Sequence, residues 1–187
     1  MSNKSSLVRV FRRVSSVRIV FTQSVPIADP LWVAHHLNVN ADLESELVGA
    51  ARQGMLNAYT PVTRFPVGAA VLSVTGNIFE GCNTQSVISG IGVCAERSAI
   101  DHAVVHGEYC YQAVAVVSSL EEPITPCGMC LQYIGEFSQI IDDDIAIIVI
   151  GSTGRIIRSS VREMSHAIFG PIDLGLDLTP YRTRRNE

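Results

Sequence analysis

Two short stretches hold the residues best suited to chemistry. Cys94 and Glu96 stand two apart in VCAERSAI (93–100), and Cys127 and Cys130 stand three apart in TPCGMC (125–130). Two thiols at the second spacing can reach one metal ion, although the same pattern also serves a redox dithiol or half of a structural zinc site. A structural tetrahedral site takes four protein ligands. A catalytic one takes three and leaves a position open. Cys94 supplies a third thiol, and no good fourth follows from the pattern. Cys82 ends an alternating strand and Cys110 follows the turn at Gly107, where both read as packed, inert thiols. Three thiolates without a fourth ligand is the catalytic count.

Glu96 lies close to a ligand without having to be one. A carboxylate beside a metal-activated water can take its proton and deliver it elsewhere. Both cysteine groups fall at expected helix starts, where free N–H groups and the helix dipole stabilise thiolates. Three thiolates on a zinc ion leave a net charge of about −1, which opposes the acidification of bound water. Arg97, next in sequence, is placed to offset that charge by hydrogen-bonding a ligand sulfur.

These residues need a scaffold. Asn40 or Asp42 can cap a helix carrying Leu43, Leu47, Ala50 and Ala51 at helical spacing. GAAVLSVTGNIFEGC reads as a β-hairpin turning at TGN. CAERSAIDHAVVHG reads as a helix ending at Gly107, with Ala95, Ala99, Ile100, Ala103 and Val104 inward. QAVAVVSSL and IAIIVIGS are continuous apolar runs, hence buried strands. CGMCLQYIGEF between them is a short helix, and GRIIRSSV an edge strand. This alternation predicts an α/β domain, a three-layer α/β/α sandwich with helices on both faces of a mixed β-sheet.

The bounds agree. The chain has 187 residues, is 47% hydrophobic and 17% charged, and can build a core. The formal net charge of -4 gives no general pull toward nucleic acid or membrane. No apolar stretch reaches the ~18 residues of a spanning helix. Five cysteines, an odd number, argue against a secreted disulfide framework and for reduced thiols in the cytoplasm. Residues 1–39 read as a basic leader, 40–176 as the domain and 177–187 as a tail. Lys4, Arg9, Arg12, Arg13 and Arg18, with no acid up to residue 25, suit a basic tail or an extra strand. They also suit an organellar transit peptide.

With these motifs in place, the chain resembles the cytidine deaminase family, in its short form with three zinc cysteines. The signature Cys94-Ala95-Glu96 followed by Pro126-Cys127-Gly128-Met129-Cys130 carries the likeness. RFPVGAAVL (64–72), GNIFEGCN (76–83) and IFGPIDL (168–174) extend it over about residues 42–175. The resemblance implies that Cys94, Cys127 and Cys130 hold Zn²⁺ and that Glu96 is the catalytic proton shuttle. In the family's reaction a zinc-bound hydroxide would attack C4 of cytosine, and the resemblance implies that Glu96 would protonate N3 and then the leaving amine, giving uracil and ammonia. It further implies that the Ala95 backbone meets the base, Phe65 lines the base pocket, and Asn83 bonds the ribose 3′-hydroxyl. The same resemblance implies a homotetramer in which Phe169 reaches a neighbouring subunit's site. Gln132 is kept behind the last cysteine.

There are departures. Gln85 replaces an acid that usually follows the asparagine by two, which weakens the grip on ribose by removing charge assistance. Ser89 replaces an aromatic, Val62 and Arg64 replace a tyrosine and a histidine, and Leu131 replaces an arginine. The expected activity is therefore deamination of cytidine and deoxycytidine in pyrimidine salvage. The alternatives are another aminopyrimidine nucleoside, such as a modified cytidine or a blasticidin-like antibiotic nucleoside, or a non-catalytic zinc-stabilised binding protein. A nucleic-acid editor would want a basic, aromatic-lined groove, and the sequence offers none.

Overall fold

The computed structural model describes residues 39–182. The leader of residues 1–39, save Val39, and its transit-peptide alternative lie outside the described residues, as do residues 183–187. In chain order the elements are α1 (Ala41–Leu56), β1 (Val67–Ser73), β2 (Ile78–Cys82), α2 (Ala95–Val105), β3 (Tyr111–Ser118), α3 (Gly128–Ile141), β4 (Ala146–Ile150), β5 (Ile156–Ser160) and α4 (Val161–Met164). Two 3₁₀ turns, Pro171–Leu174 and Thr179–Tyr181, follow.

These five strands form one sheet in the order β2-β1-β3-β4-β5. Among them the β3–β4 pair is parallel, β1 runs antiparallel to both β2 and β3, and β5 antiparallel to β4. The sheet is therefore mixed, as the sequence predicts.

Strand alternation divides the core into two layers. Ala70 and Leu72 of β1, Ala113, Ala115 and Val117 of β3, and Ile148 and Ile150 of β4 pack on one face with Leu47 and Ala51 of α1. The alternate residues, Ala69 and Val71 of β1, Val114 and Val116 of β3, and Ile147 and Val149 of β4, face α2 and α3 on the other side. Because both faces are covered, the central strands read as unbroken apolar runs. Each fully buried Val, Leu or Ile stabilises by about 1.5–3 kcal/mol.

The helices begin where their caps place them. The Asn40 side chain accepts from Leu43 N at 2.9 Å, and Asn40 is thus the N-cap of α1. Of the expected apolar stripe of α2, Ala95, Ala99, Ile100 and Ala103 are buried, and Val104 packs against the core only partly buried. Gly81 lets α2 lie directly on β2, because a Cβ there would collide with Ala99 N. Across the sheet, the Arg158 guanidinium of β5 grips Glu44 of α1 with bonds of 2.9 and 2.5 Å. A buried carboxylate, Glu108, accepts from Thr75 and Asn77 at 2.7 and 2.8 Å and fastens the β1–β2 turn to the loop before β3.

The topology explains where a site can form. β2 and β3 flank β1 and are both antiparallel to it, so they run parallel to each other. Each is followed by a helix packed on the same face, so α2 and α3 start at the same end of the sheet. Crevices at the carboxyl ends of such strands are where α/β sheets place ligands.

Candidate active site

Cys94 is the N-cap residue of α2 and Cys127 that of α3, both with extended backbone, and Cys130 sits one turn into α3, fully buried. Neither N-cap cysteine caps its helix by a side-chain hydrogen bond. The sulfurs are turned to one another instead: the three Sγ atoms lie within 4.8 Å of each other, and Cys127 and Cys130 are 3.5 Å apart.

The triad fits zinc. Thiolates bonded at about 2.3 Å around a tetrahedral ion stand roughly 3.8 Å apart, inside the observed spread. Without a cation the sulfurs must share protons. Hydrogen bonds from Cys130, then Cys127 and Arg97, hold Cys94 below the ordinary thiol range, and donation to Cys94 pushes Cys130 up. Such a cluster loses all its protons only when a cation takes their place. Cys94, Cys127 and Cys130 are thus the residues that would hold Zn²⁺.

Arg97 lies against this cluster. Burial works against its charge, and the Cys94 thiolate beside it more than offsets that. Its Nη2 donates to Gly92 O at 3.4 Å, while its buried Nε has no hydrogen-bond partner among the described residues. A cation with an unmet donor suits a thiolate site whose net charge is negative.

Glu96 is 5% exposed, although it occupies the first turn of a helix. Burial raises its pKa, the Cys94 thiolate adds to this, and a hydrogen bond from Cys130 works the other way. A solvated helix glutamate would show none of these features. Ala95, between ligand and acid, is buried as well.

The residues expected on the sugar side gather on a second group of loops. Val67 N donates to Asn83 Oδ1 at 2.9 Å, and Asn83 Nδ2 donates to Phe65 O at 3.0 Å. Phe65, partly buried, packs against the core under α2. Gln85 Oε1 accepts from Val62 N at 3.3 Å and Thr63 N at 3.0 Å, and its Nε2 donates to Thr63 Oγ1 at 2.6 Å. The turn so held ends at Arg64, an exposed residue with a φ of 56°. That left-handed conformation costs a non-glycine residue of order 1–3 kcal/mol.

On the other flank, Gln132 Nε2 donates to Glu136 Oε1 at 3.1 Å and also to Phe169 O. Phe169 itself is 63% exposed. Tyr133 Oη donates to Asp101 at 2.9 Å, joining α3 to α2 beside the cysteines. A cavity of ≈ 370 Å³ opens there, lined by Arg97, Asp101, Met129, Gln132, Tyr133 and Glu136. The Tyr133–Asp101 clamp and the Thr63 anchor escape a sequence reading, since 32 and 22 residues separate the partners. Cys82 and Cys110 stand apart from the triad. Cys82 lies at the end of β2, Cys110 donates to carbonyls of the C-terminal turn, and burial raises both thiols.

Comparison with known proteins agrees with this geometry. Residues 42–145 match the family described as the cytidine and deoxycytidylate deaminase zinc-binding region. A cytidine deaminase of Sporosarcina psychrophila is 34% identical over 129 residues, 69% of this chain and 93% of that one. A probable cytidine deaminase of Dictyostelium discoideum is 31% identical, covering 73% and 90%. Among solved structures, the cytidine deaminase of Burkholderia pseudomallei superposes with a TM-score of 0.60 at 31% identity, over 67% of this chain and 98% of that one. The enzyme of Mycobacterium tuberculosis gives 0.56 at 29%, over 68% and 97%.

Proposed function

The chain belongs to the cytidine and deoxycytidylate deaminase family, and from that premise we propose that it hydrolyses cytidine and deoxycytidine to uridine and deoxyuridine, releasing ammonia. The observation that carries the proposal is a buried carboxylate, Glu96, set against three thiols that converge within 4.8 Å. A structural zinc site has no use for that acid.

When bound by the three thiolates, zinc supplies the Lewis acidity that makes water a nucleophile at neutral pH. The chain's own residues do the rest. Glu96 takes the proton of the attacking water and gives it to ring N3. It then carries the second proton to the amine, so that C4 gains oxygen and loses ammonia. Its burial keeps that proton exchange out of bulk water. The buried Ala95 presents its backbone to the base edge. Phe65, its carbonyl held by the Asn83 amide, forms a wall of the base pocket. Asn83 Nδ2 retains a second N–H for the ribose. Arg97 neutralises part of the thiolate charge and so keeps the water acidic. Gln132 holds the segment that carries Phe169.

The same proposal extends to assembly and place. Phe169, Ile172, Leu174 and Leu176 are more than half exposed, an apolar run beside the site. It is suited to burial against a second copy in a homotetramer, with Phe169 entering the neighbour's site. The role is pyrimidine salvage in the cytoplasm, which reduced cysteines favour. Among the described residues no helix is long and apolar enough to cross a membrane. The engagement of Gln85 by the turn favours a second reading, in which the sugar is read loosely and a modified cytidine or antibiotic nucleoside is also a substrate.

The test is loss of cytosine absorbance with cytidine, deoxycytidine, a cytidine nucleotide and an antibiotic aminopyrimidine nucleoside. Glu96→Gln should lower kcat by about 10²–10⁴ with zinc content unchanged. Activity that survives the substitution sinks the assigned role. A zinc-loaded wild type that turns over nothing favours the binding-protein alternative.

A further inference from the structure

Far along α2 from the cysteines, His102 and His106 stand exposed at the end of the helix. Side chains four apart on a helix are neighbours on one face. Both rings are already oriented. His102 Nδ1 is 2.9 Å from Glu80 O of β2, and His106 Nδ1 is 2.9 Å from His102 O. A carbonyl oxygen only accepts, so in each ring Nδ1 carries the hydrogen. In the neutral imidazole this leaves the Nε2 lone pair free, the tautomer and outer-partner arrangement that metal-binding histidines use.

The rings are also fixed relative to each other. Phe79 packs against both, with centroid separations of 5.4 and 5.5 Å. The imidazoles lie 4.9 Å apart at an interplanar angle of 64°. Two imidazoles sharing one ion at about 2.1 Å per bond place their ring centres roughly 4.6 Å apart at a right angle and roughly 5.3 Å apart at a tetrahedral one. The observed 4.9 Å lies between these two values. The last carbonyls of α2 add a partial negative charge at this end, which favours a cation.

We propose that His102 and His106 form a second metal site, for one borderline divalent ion of the Zn²⁺, Ni²⁺ or Cu²⁺ type. Imidazole selects these ions over Mg²⁺ and Ca²⁺. With two protein ligands and water completing the shell, the site is weaker and more exchangeable than the thiolate triad. An ion there ties the last turn of α2, which His102 already bonds to β2. It thereby stiffens the helix whose first turn carries Glu96. The site uses no residue of the proposed active centre, so it stands or falls separately from the deaminase assignment.

The test is calorimetric titration of the zinc-loaded, full-length protein with Ni²⁺, beside His102→Gln, His106→Gln and the double variant. Wild type should take up one additional equivalent without releasing zinc and without a sulfur-to-nickel charge-transfer band. Losing a ligand costs at least what losing its outer partner costs, so each single variant should bind at least about tenfold more weakly. The double variant should show no such uptake, and cytidine turnover should be unchanged throughout. No extra equivalent in wild type overturns the proposal. So does uptake that persists in the double variant, which would point to His35, His36 or His166 instead, and so does uptake that displaces zinc.

Discussion

The Gln85 amide is engaged on both its atoms by the turn that precedes Phe65. That makes it first a holder of this turn, whatever it also offers a sugar. Gln85→Ala releases two backbone N–H groups to water and frees a turn already strained at Arg64. A net hydrogen bond contributes about 0.5–1.5 kcal/mol, so KM for cytidine should rise by roughly threefold to tenfold while kcat changes less. Gln85→Glu keeps the acceptor for Val62 N and Thr63 N and should recover most of the loss, as steady-state kinetics on the three proteins will show. Equal KM values in wild type and Gln85→Ala would remove the turn-holding role. The sequence shows that Gln85 is unusual without showing why, because its partners lie 22 and 23 residues away. Cys94 and Glu96 are legible for the opposite reason: their relation is local, fixed by two residues of one helix turn.

Among the elements, the contact between α2 and β2 depends on the absence of a side chain at Gly81. A Cβ there would collide with Ala99 N and stand 2.8 Å from Ala95 O, both backbone atoms that cannot step aside. Gly81→Ala should therefore destabilise by about 1–3 kcal/mol or more. It should also lower zinc retention and turnover together, since the helix that shifts begins with Cys94. Gly49, in the exposed middle of α1, has nothing within 4 Å. The same substitution there should stabilise by about 0.5–1 kcal/mol. Thermal melts with metal analysis compare the two, and a harmless Gly81→Ala would mean that α2 is free to move. The hairpin and the inward face of α2 can be read from periodicity, and residue type narrows the start of α1 to Asn40 or Asp42, of which the cap is Asn40. The end of α3 cannot, since the helix runs on through Ser138, Gln139 and Ile140 to Ile141. Nor can the last turn, Thr179–Tyr181, whose N-cap Leu178 packs on Cys110 and Ile140. Tertiary contact, not local pattern, decides such pieces.

For the molecule as a whole, apolar runs and alternating elements suffice to predict a mixed sheet covered on both sides. They do not reveal the strand order, because β1 is inserted between β2 and β3 by long-range pairing. That insertion is what brings Cys94 to Cys127, 33 residues onward in the chain. The two meet only after β3 has found β1 and both helices have docked. The ligand set should therefore be completed late, on the native side of the folding barrier. Interactions absent from the transition state slow unfolding and leave the folding rate alone. Stopped-flow experiments with and without zinc should thus give one refolding rate but a slower unfolding rate for the loaded protein. A refolding rate that climbed with zinc would instead put the ion in the nucleus. On the expected outcome the ion is a brake on the loss of the fold and takes no part in reaching it.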